Sequence, residues 1–295
     1  MVQSKIKGVG VALITPFDNY KVDYDALARM VEHVINGGVD YIVALGSTAE
    51  TATLSLEERH KVLRFIVERT AGRVPIVAGM GSNDTHALVE QLRTFDLSGT
   101  VAILSVVPYY NKPSQEGIYR HFMAVAEASP VPVIIYNVPG RTGVNMTAET
   151  TLRLAHATKR IVAVKEASGS IEQMQRIIDA RPDEFLVLSG DDGLTVELIK
   201  RGGEGVISVA ANAFAKDFCN CIHRAMNGDI ETAEREMERL TAPINLLFKE
   251  GNPTGAKAMC AAMGITRDEV RQPLVEATAE LMAEIKSDIA TYDLK

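Results

Sequence analysis

Eight times along the chain a short run rich in Val, Ile and Ala is followed by a longer amphipathic segment, and this alternation constrains the fold more than any other feature. The runs are GVGVALITP, VDYIVALG, VPIVAGMG, TVAILSVVP, VPVIIYNVP, IVAVKEA, EFLVLSG and GEGVISVAAN. They are apolar at both alternating positions, which predicts parallel strands covered by helices on one side and by a packed interior on the other. Between them, segments such as DYDALARMVEHVING and LSLEERHKVLRFIVERTAG carry apolar residues at helical spacing. Polar residues precede several of these segments and Gly follows some, as at helix starts and stops. Eight strand-helix units at roughly 28 residues each predict a (β/α)8 TIM barrel over residues 1–227.

A doubly wound open sheet would want a phosphate-binding glycine loop after an early strand. AGMGSN lacks the last glycine of the dinucleotide fingerprint, and EGNPTGAK has the wrong spacing for a Walker loop. The first reads as a strand-end turn and the second as a helix start after Asn-Pro, so no cofactor is implied. From residue 228 the alternation stops. GDIETAEREMERLTAPINLLF, PTGAKAMCAAMG and TRDEVRQPLVEATAELMAEIKSDIATY all carry helical pattern, predicting a small all-helical C-terminal extension over 228–295. No flexible linker precedes it, so it should pack on the barrel or on a partner subunit.

A net charge of −7, without a run of basic residues, argues against nucleic acid or an anionic membrane as partner and favours small molecules. The start MVQSKIKGVGVALITPF has neither the pattern of a signal peptide nor a spanning stretch, so a cytoplasmic location is expected. Three cysteines, Cys219, Cys221 and Cys260, are too few and too sparse for a disulfide framework. Cys219 and Cys221, with His223 nearby, lie in the helical segment AKDFCNCIHRAM, where residues two apart diverge, and no second ligand pair is present. A buried structural role is expected for them, and no metal site.

In a (β/α)8 barrel the active site lies at the C-terminal ends of the strands, so unusual residues there are the ones to collect. Strand two ends in GSTAET, strand four in PYYNKP, strand five in YNVPGRTG, strand six in Lys165-Glu166 and strand seven in SGDD. A lysine at the end of the buried run VAVKEASGS has two readings. It snorkels to solvent or pairs with Glu166; or it is held dry, so that its pKa falls and a neutral amine is available to form a Schiff base with a ketone. The second chemistry needs proton relays, and the strand ends offer the hydroxyls of Ser47, Thr48, Tyr110 and Tyr136. The histidines lie mostly on helical segments. Asp191 and Asp192 are adjacent and so point apart, and Asp192 at a helix start reads as an N-cap.

GSTAET, PYYNKP, YNVPGRTG and VKEASG, in this order and spacing, resemble the dihydrodipicolinate synthase and N-acetylneuraminate lyase family of pyruvate-dependent class I aldolases. The resemblance spans essentially the whole chain. It implies that Lys165 forms the Schiff base with pyruvate and that Tyr136 moves the proton during imine formation. It further implies that Ser47 links Tyr136 to Tyr110, with Tyr110 reaching in from a neighbouring subunit of a tetramer built from tight dimers. Thr48 is implied to hold the pyruvate carboxylate, and the backbone of Gly190 and Ile207 to line the pocket.

Within the family, Arg141 after Pro-Gly points to the synthase branch, in which aspartate semialdehyde brings a second carboxylate that suits a bidentate guanidinium. That branch opens the route to diaminopimelate and lysine. The alternatives are an aldolase of sugar acids, of the N-acetylneuraminate or keto-deoxy-gluconate type, and a pyruvate-binding regulator without turnover. The chain departs from the common synthase pattern in three places. Ser47 stands where Thr is common; Ala49 replaces a Gly, so it requires negative φ or strain; and GNPTGAK replaces NPIPVK, which bears on the packing of the C-terminal helices. Relatives inhibited by lysine place histidine and glutamate in a cleft between paired subunits, where this chain has Leu56, Arg59 and Ala87. Weak or absent lysine feedback is expected.

Overall fold

Each of the eight apolar runs forms one strand of a closed parallel barrel in the computed structural model, which describes residues 2–293. The strands are β1 (Gly8–Ala12), β2 (Tyr41–Ala44), β3 (Ile76–Gly79), β4 (Ala102–Val106), β5 (Val133–Asn137), β6 (Ile161–Glu166), β7 (Leu186–Ser189) and β8 (Gly205–Ser208). They pair in chain order, and β1 closes the ring against both β2 and β8, with Gly8 opposite Gly205 and Gly10 opposite Tyr41. All six residues of β6 are buried, Lys165 and Glu166 included. Apolar side chains fill both sides of the strand wall. Val43, Val77, Leu104, Ile134, Leu188 and Ile207 belong to the interior cluster, while Ile42, Ile103, Ile135, Val164 and Val187 pack under the helices.

The covering helices are α1 (Tyr24–Asn36), α2 (Leu56–Thr70), α3 (Thr85–Thr94), α4 (Gln115–Ala128), α5 (Ala148–Ala157), α6 (Ile171–Ala180), α7 (Thr195–Lys200) and α8 (Ala215–Met226). Side-chain caps fix where several begin. Asp23 accepts from the Ala26 amide, and Ser55 and Glu58 satisfy each other's backbone amides in a capping box. Two additions decorate the barrel: a hairpin of Phe17–Asp18 and Lys21–Val22, and one turn of helix at Pro139–Thr142.

Beyond the barrel run α9 (Ile230–Phe248), α10 (Thr254–Ala262) and α11 (Ala279–Tyr292). The last stretch corrects the reading from pattern, because TRDEVRQPLVEAT is not helical and α11 starts only at Ala279. Pro273 lacks the amide a helix interior needs. Arg271 is drawn inward by the carboxylate of Glu58 and the carbonyls of Tyr20 and Thr53. Thr278 then caps α11 through the Leu281 amide. The non-helical stretch is thus tied to the loops of the barrel.

Candidate active site

At the C-terminal end of the barrel a cavity of about 190 Å³ is walled by Ser47, Thr48, Tyr136, Arg141, Lys165 and Gly190, with Val209, Phe248 and Asn252 beside them. Six of the residues singled out from sequence therefore meet in one space. A wider cleft of about 450 Å³ shares Ser47, Tyr136, Arg141 and Asn252 and opens outward past Tyr109 and Arg59.

Strand alternation explains how Lys165 enters this cavity. Side chains of successive strand residues face opposite sides, so Lys165 points into the barrel and Glu166 points under the helices. The pairing of Lys165 with Glu166 is thereby ruled out. The Glu166 carboxylate instead accepts from Asn137 Nδ2 at 3.0 and 3.1 Å, the Ser168 amide at 2.8 Å and Gln173 Nε2 at 3.0 Å. Asn137 and Glu166 are register partners, as are Tyr136 and Lys165. One polar lock outside the strands thus holds in register the two strand ends whose inward residues face each other.

Lys165 is 5% exposed, and its Nζ lies 4.3 Å from the centroid of the Tyr136 ring. Burial lowers its pKa to about 7, with the Asp192 carboxylate opposing the shift and Arg141 adding to it. Near neutral pH a large share of this amine is therefore unprotonated and nucleophilic. Burial also pushes the Tyr136 phenol up, so the hydroxyl keeps its proton and can both donate and accept.

Ser47 and Thr48 sit in a 3-10 turn, Ser47–Ala49, bracketed by two left-handed residues, Leu45 at φ 57° and Glu50 at φ 55°. Ala49 is outside the left-handed region, so its Cβ is accommodated and the unusual backbone falls on its neighbours. Gly79 makes room for the turn, since a Cβ there would lie 2.1 Å from the Leu45 carbonyl oxygen. Thr48 Oγ1 accepts from Asn252 Nδ2 at 3.0 Å, and the Asn252 carbonyl accepts from an Arg141 guanidinium nitrogen at 3.0 Å. Asn252 so bridges two of the predicted binding residues. By pattern its segment reads only as a helix start, and the Asn-Pro step before α10 is the one local hint of this bridge.

Gly190 lies where a Cβ would be 2.5 Å from that of Ala167, and its amide donates to the Glu166 carbonyl at 2.8 Å. Ile207 is 1% exposed in β8 and belongs to the barrel interior, with Val209 rather than Ile207 at the cavity wall. Tyr110 is 87% exposed, has φ 71° and lines neither cavity. Asp192 is not an N-cap. Its buried Oδ2 accepts from the amides of Val209 and Ala210 at 3.1 and 3.0 Å, while Asp191 Oδ1 takes the Gly193 and Leu194 amides. Asp192 therefore ties the β7 end to the β8 end beneath Lys165.

The three cysteines are buried and free, and His223 Nε2 lies 2.7 Å from Asp40 Oδ2. Among the described residues no three His, Cys, Asp or Glu side chains gather as a metal site, and no helix is long and apolar enough to cross a membrane. Arg59 donates to the Leu54 and Thr51 carbonyls at 3.1 and 2.8 Å, and Leu56 is exposed at the start of α2.

Comparison with known proteins agrees over the full length. Residues 5–292 match the model of the dihydrodipicolinate synthetase family. The chain is 52% identical to the 4-hydroxy-tetrahydrodipicolinate synthase of Phocaeicola vulgatus, over 98% of this chain and 99% of that one. It is 49% identical to the same-named protein of Parabacteroides distasonis, over 100% of both. Its fold matches the crystal structure of a chloride-inhibited dihydrodipicolinate synthase from Acinetobacter baumannii complexed with pyruvate, with a TM-score of 0.94 and 37% identity over 98% of this chain and 100% of that one.

Proposed function

The chain belongs to the dihydrodipicolinate synthetase family, and from that premise we propose that it condenses pyruvate with L-aspartate 4-semialdehyde to 4-hydroxy-tetrahydrodipicolinate, in the diaminopimelate route to lysine. The observation that carries this reading is a buried amine with its pKa drawn down to about 7, in a cavity that also holds hydroxyls and a guanidinium.

The neutral Lys165 amine adds to C2 of pyruvate, and loss of water leaves an iminium. Tyr136 supplies the proton with which the hydroxyl leaves as water, and the phenolate is then reprotonated through the Ser47 hydroxyl. The iminium draws electrons from C3, which loses a proton to give an enamine. The enamine carbon attacks the aldehyde carbon of the semialdehyde, forming the new carbon-carbon bond, and the aldehyde oxygen takes a proton. The substrate's own amine then adds to C2 and expels Lys165, closing the ring and restoring the free lysine.

The pyruvate carboxylate is held by Thr48, whose hydroxyl accepts from Asn252 and so has its own proton to give. Arg141 is exposed at the cleft mouth, where its guanidinium suits the carboxylate of the semialdehyde. The backbone at Gly190 and Ile207 completes the pocket. Tyr110 joins the relay from a second copy of the chain, a role its exposure supports. A dimer is then the smallest active unit, within a cytoplasmic homotetramer. Purified protein with both substrates, a downstream reductase and NADPH should consume NADPH, and Lys165→Ala should abolish the rate. A protein that traps pyruvate but does not turn over the semialdehyde would be an aldolase of another aldehyde, such as a sugar.

A further inference from the structure

The loop that carries Ser47 and Thr48 is held against its local preferences. Non-glycine residues avoid left-handed φ, and they persist there where surrounding structure over-determines them. At Leu45 the neighbouring Gly79 makes the room; at Glu50 the constraint comes from far along the chain.

The Glu50 side chain turns down into a buried pocket formed by the C-terminal segment. Its Oε2 accepts from the Arg271 amide at 2.8 Å, and its Oε1 lies 2.5 Å from Lys257 Nζ, both charged side chains being 1% exposed or less. Lys257 Nζ also donates to the Glu269 carbonyl at 2.8 Å and stands 4.0 Å from the centroid of the Phe17 ring. Arg271 packs on the same ring at 4.4 Å. Lys257 is itself well anchored, because at Gly255 a Cβ would lie 2.4 Å from the Leu247 carbonyl oxygen, so that α10 sits close upon α9. Five residues before Lys257, Asn252 takes hold of Thr48. The C-terminal segment thus grips the loop on both sides of Ala49, at Thr48 and at Glu50.

A buried ion pair is weak evidence for stability, since apolar pairs of the same volume serve as well or better, whereas a pair with fixed partners specifies geometry. We propose that Glu50 and Lys257 are positioning residues for the pyruvate carboxylate, their contact fixing the turn that aims the Ser47 and Thr48 hydroxyls into the cavity. The proposal rests on pyruvate being the ligand of that cavity.

The test is the double variant Glu50→Gln/Lys257→Met, which removes both charges together and leaves neither buried alone. Misplacing a binding group by an ångström costs up to about a hundredfold, so the folded double variant should show a pyruvate KM raised about tenfold or more, with the KM for the semialdehyde nearly unchanged. Glu50→Asp, which keeps the charge and shortens the reach, should lie between it and the wild type. A double variant with wild-type circular dichroism and wild-type pyruvate KM would overturn the proposal. Should the double variant not fold, Glu50→Asp decides: a raised pyruvate KM supports the proposal and an unchanged one overturns it. Wild-type protein that borohydride cannot label with pyruvate would overturn the underlying reading itself, a different result from labelling that is insensitive to Glu50.

Discussion

Replacing Lys165 by Met should stabilise the protein while abolishing its chemistry, and the gain should shrink as pH rises. In the folded chain burial lowers the Lys165 pKa from the ordinary 10.5 to about 7. Between those values the unfolded state binds more protons than the folded state, so wild-type stability increases with pH across this window. At pH 7 the buried lysine costs about 4 kcal/mol, and at pH 9 about 2 kcal/mol. Methionine is unbranched, of similar reach and uncharged, so it fills the space without that cost. Asp192, the carboxylate that opposes the shift, keeps its two backbone donors in the variant. The assay is urea unfolding of both proteins at equal concentration, at pH 7 and pH 9, because association would otherwise shift the midpoints. The variant should be the more stable at pH 7, and its advantage should fall by about 2 kcal/mol at pH 9. An advantage that does not change with pH, or a less stable variant at pH 7, would show that Lys165 is not held as a desolvated amine.

Pyruvate trapping by borohydride should follow the same ionisation: its rate should drop tenfold per unit of pH below about 7 and level off above it, and a flat profile through that range would contradict the assignment. Tyr136→Phe removes one hydroxyl from a side chain that is 8% exposed, and imine formation should slow by about 10²–10⁴ with the fold intact; an unchanged trapping rate would remove Tyr136 from the relay. Gly190→Ala puts a Cβ 2.5 Å from that of Ala167, so it should cost about 1–3 kcal/mol in unfolding and raise the pyruvate KM. Lysine should inhibit weakly or not at all, as Arg59 is spent on the Thr51 and Leu54 carbonyls and Ala87 offers no carboxylate. Clear inhibition by low-millimolar lysine in the coupled assay would refute this.

The barrel was legible in sequence because its strands are apolar on both faces and its helices amphipathic, two periods that local pattern records directly. The site was legible for a related reason. Polar residues at the ends of buried strands stand out, and Lys165, Tyr136, Thr48 and Arg141 do meet in one cavity. What pattern did not reveal depends on partners distant in the chain. Asp192 reads locally as a helix cap, yet its donors belong to Val209 and Ala210. Nothing near Glu50 announces Lys257 or Arg271, more than 200 residues away. The stretch before α11 has helical spacing, but the pull of Glu58 and Tyr20 on Arg271 and the missing amide of Pro273 outweigh that propensity. Tyr110 is exposed and lines neither cavity, so the single chain does not bring it to the other residues that the motifs singled out.

The most direct test of the central claim is to reduce the wild-type protein with borohydride in the presence of pyruvate, digest it and locate the label by mass. The account predicts one added lactyl-sized mass per chain, on the peptide carrying Lys165. Label on any other lysine, or none at all, would contradict it.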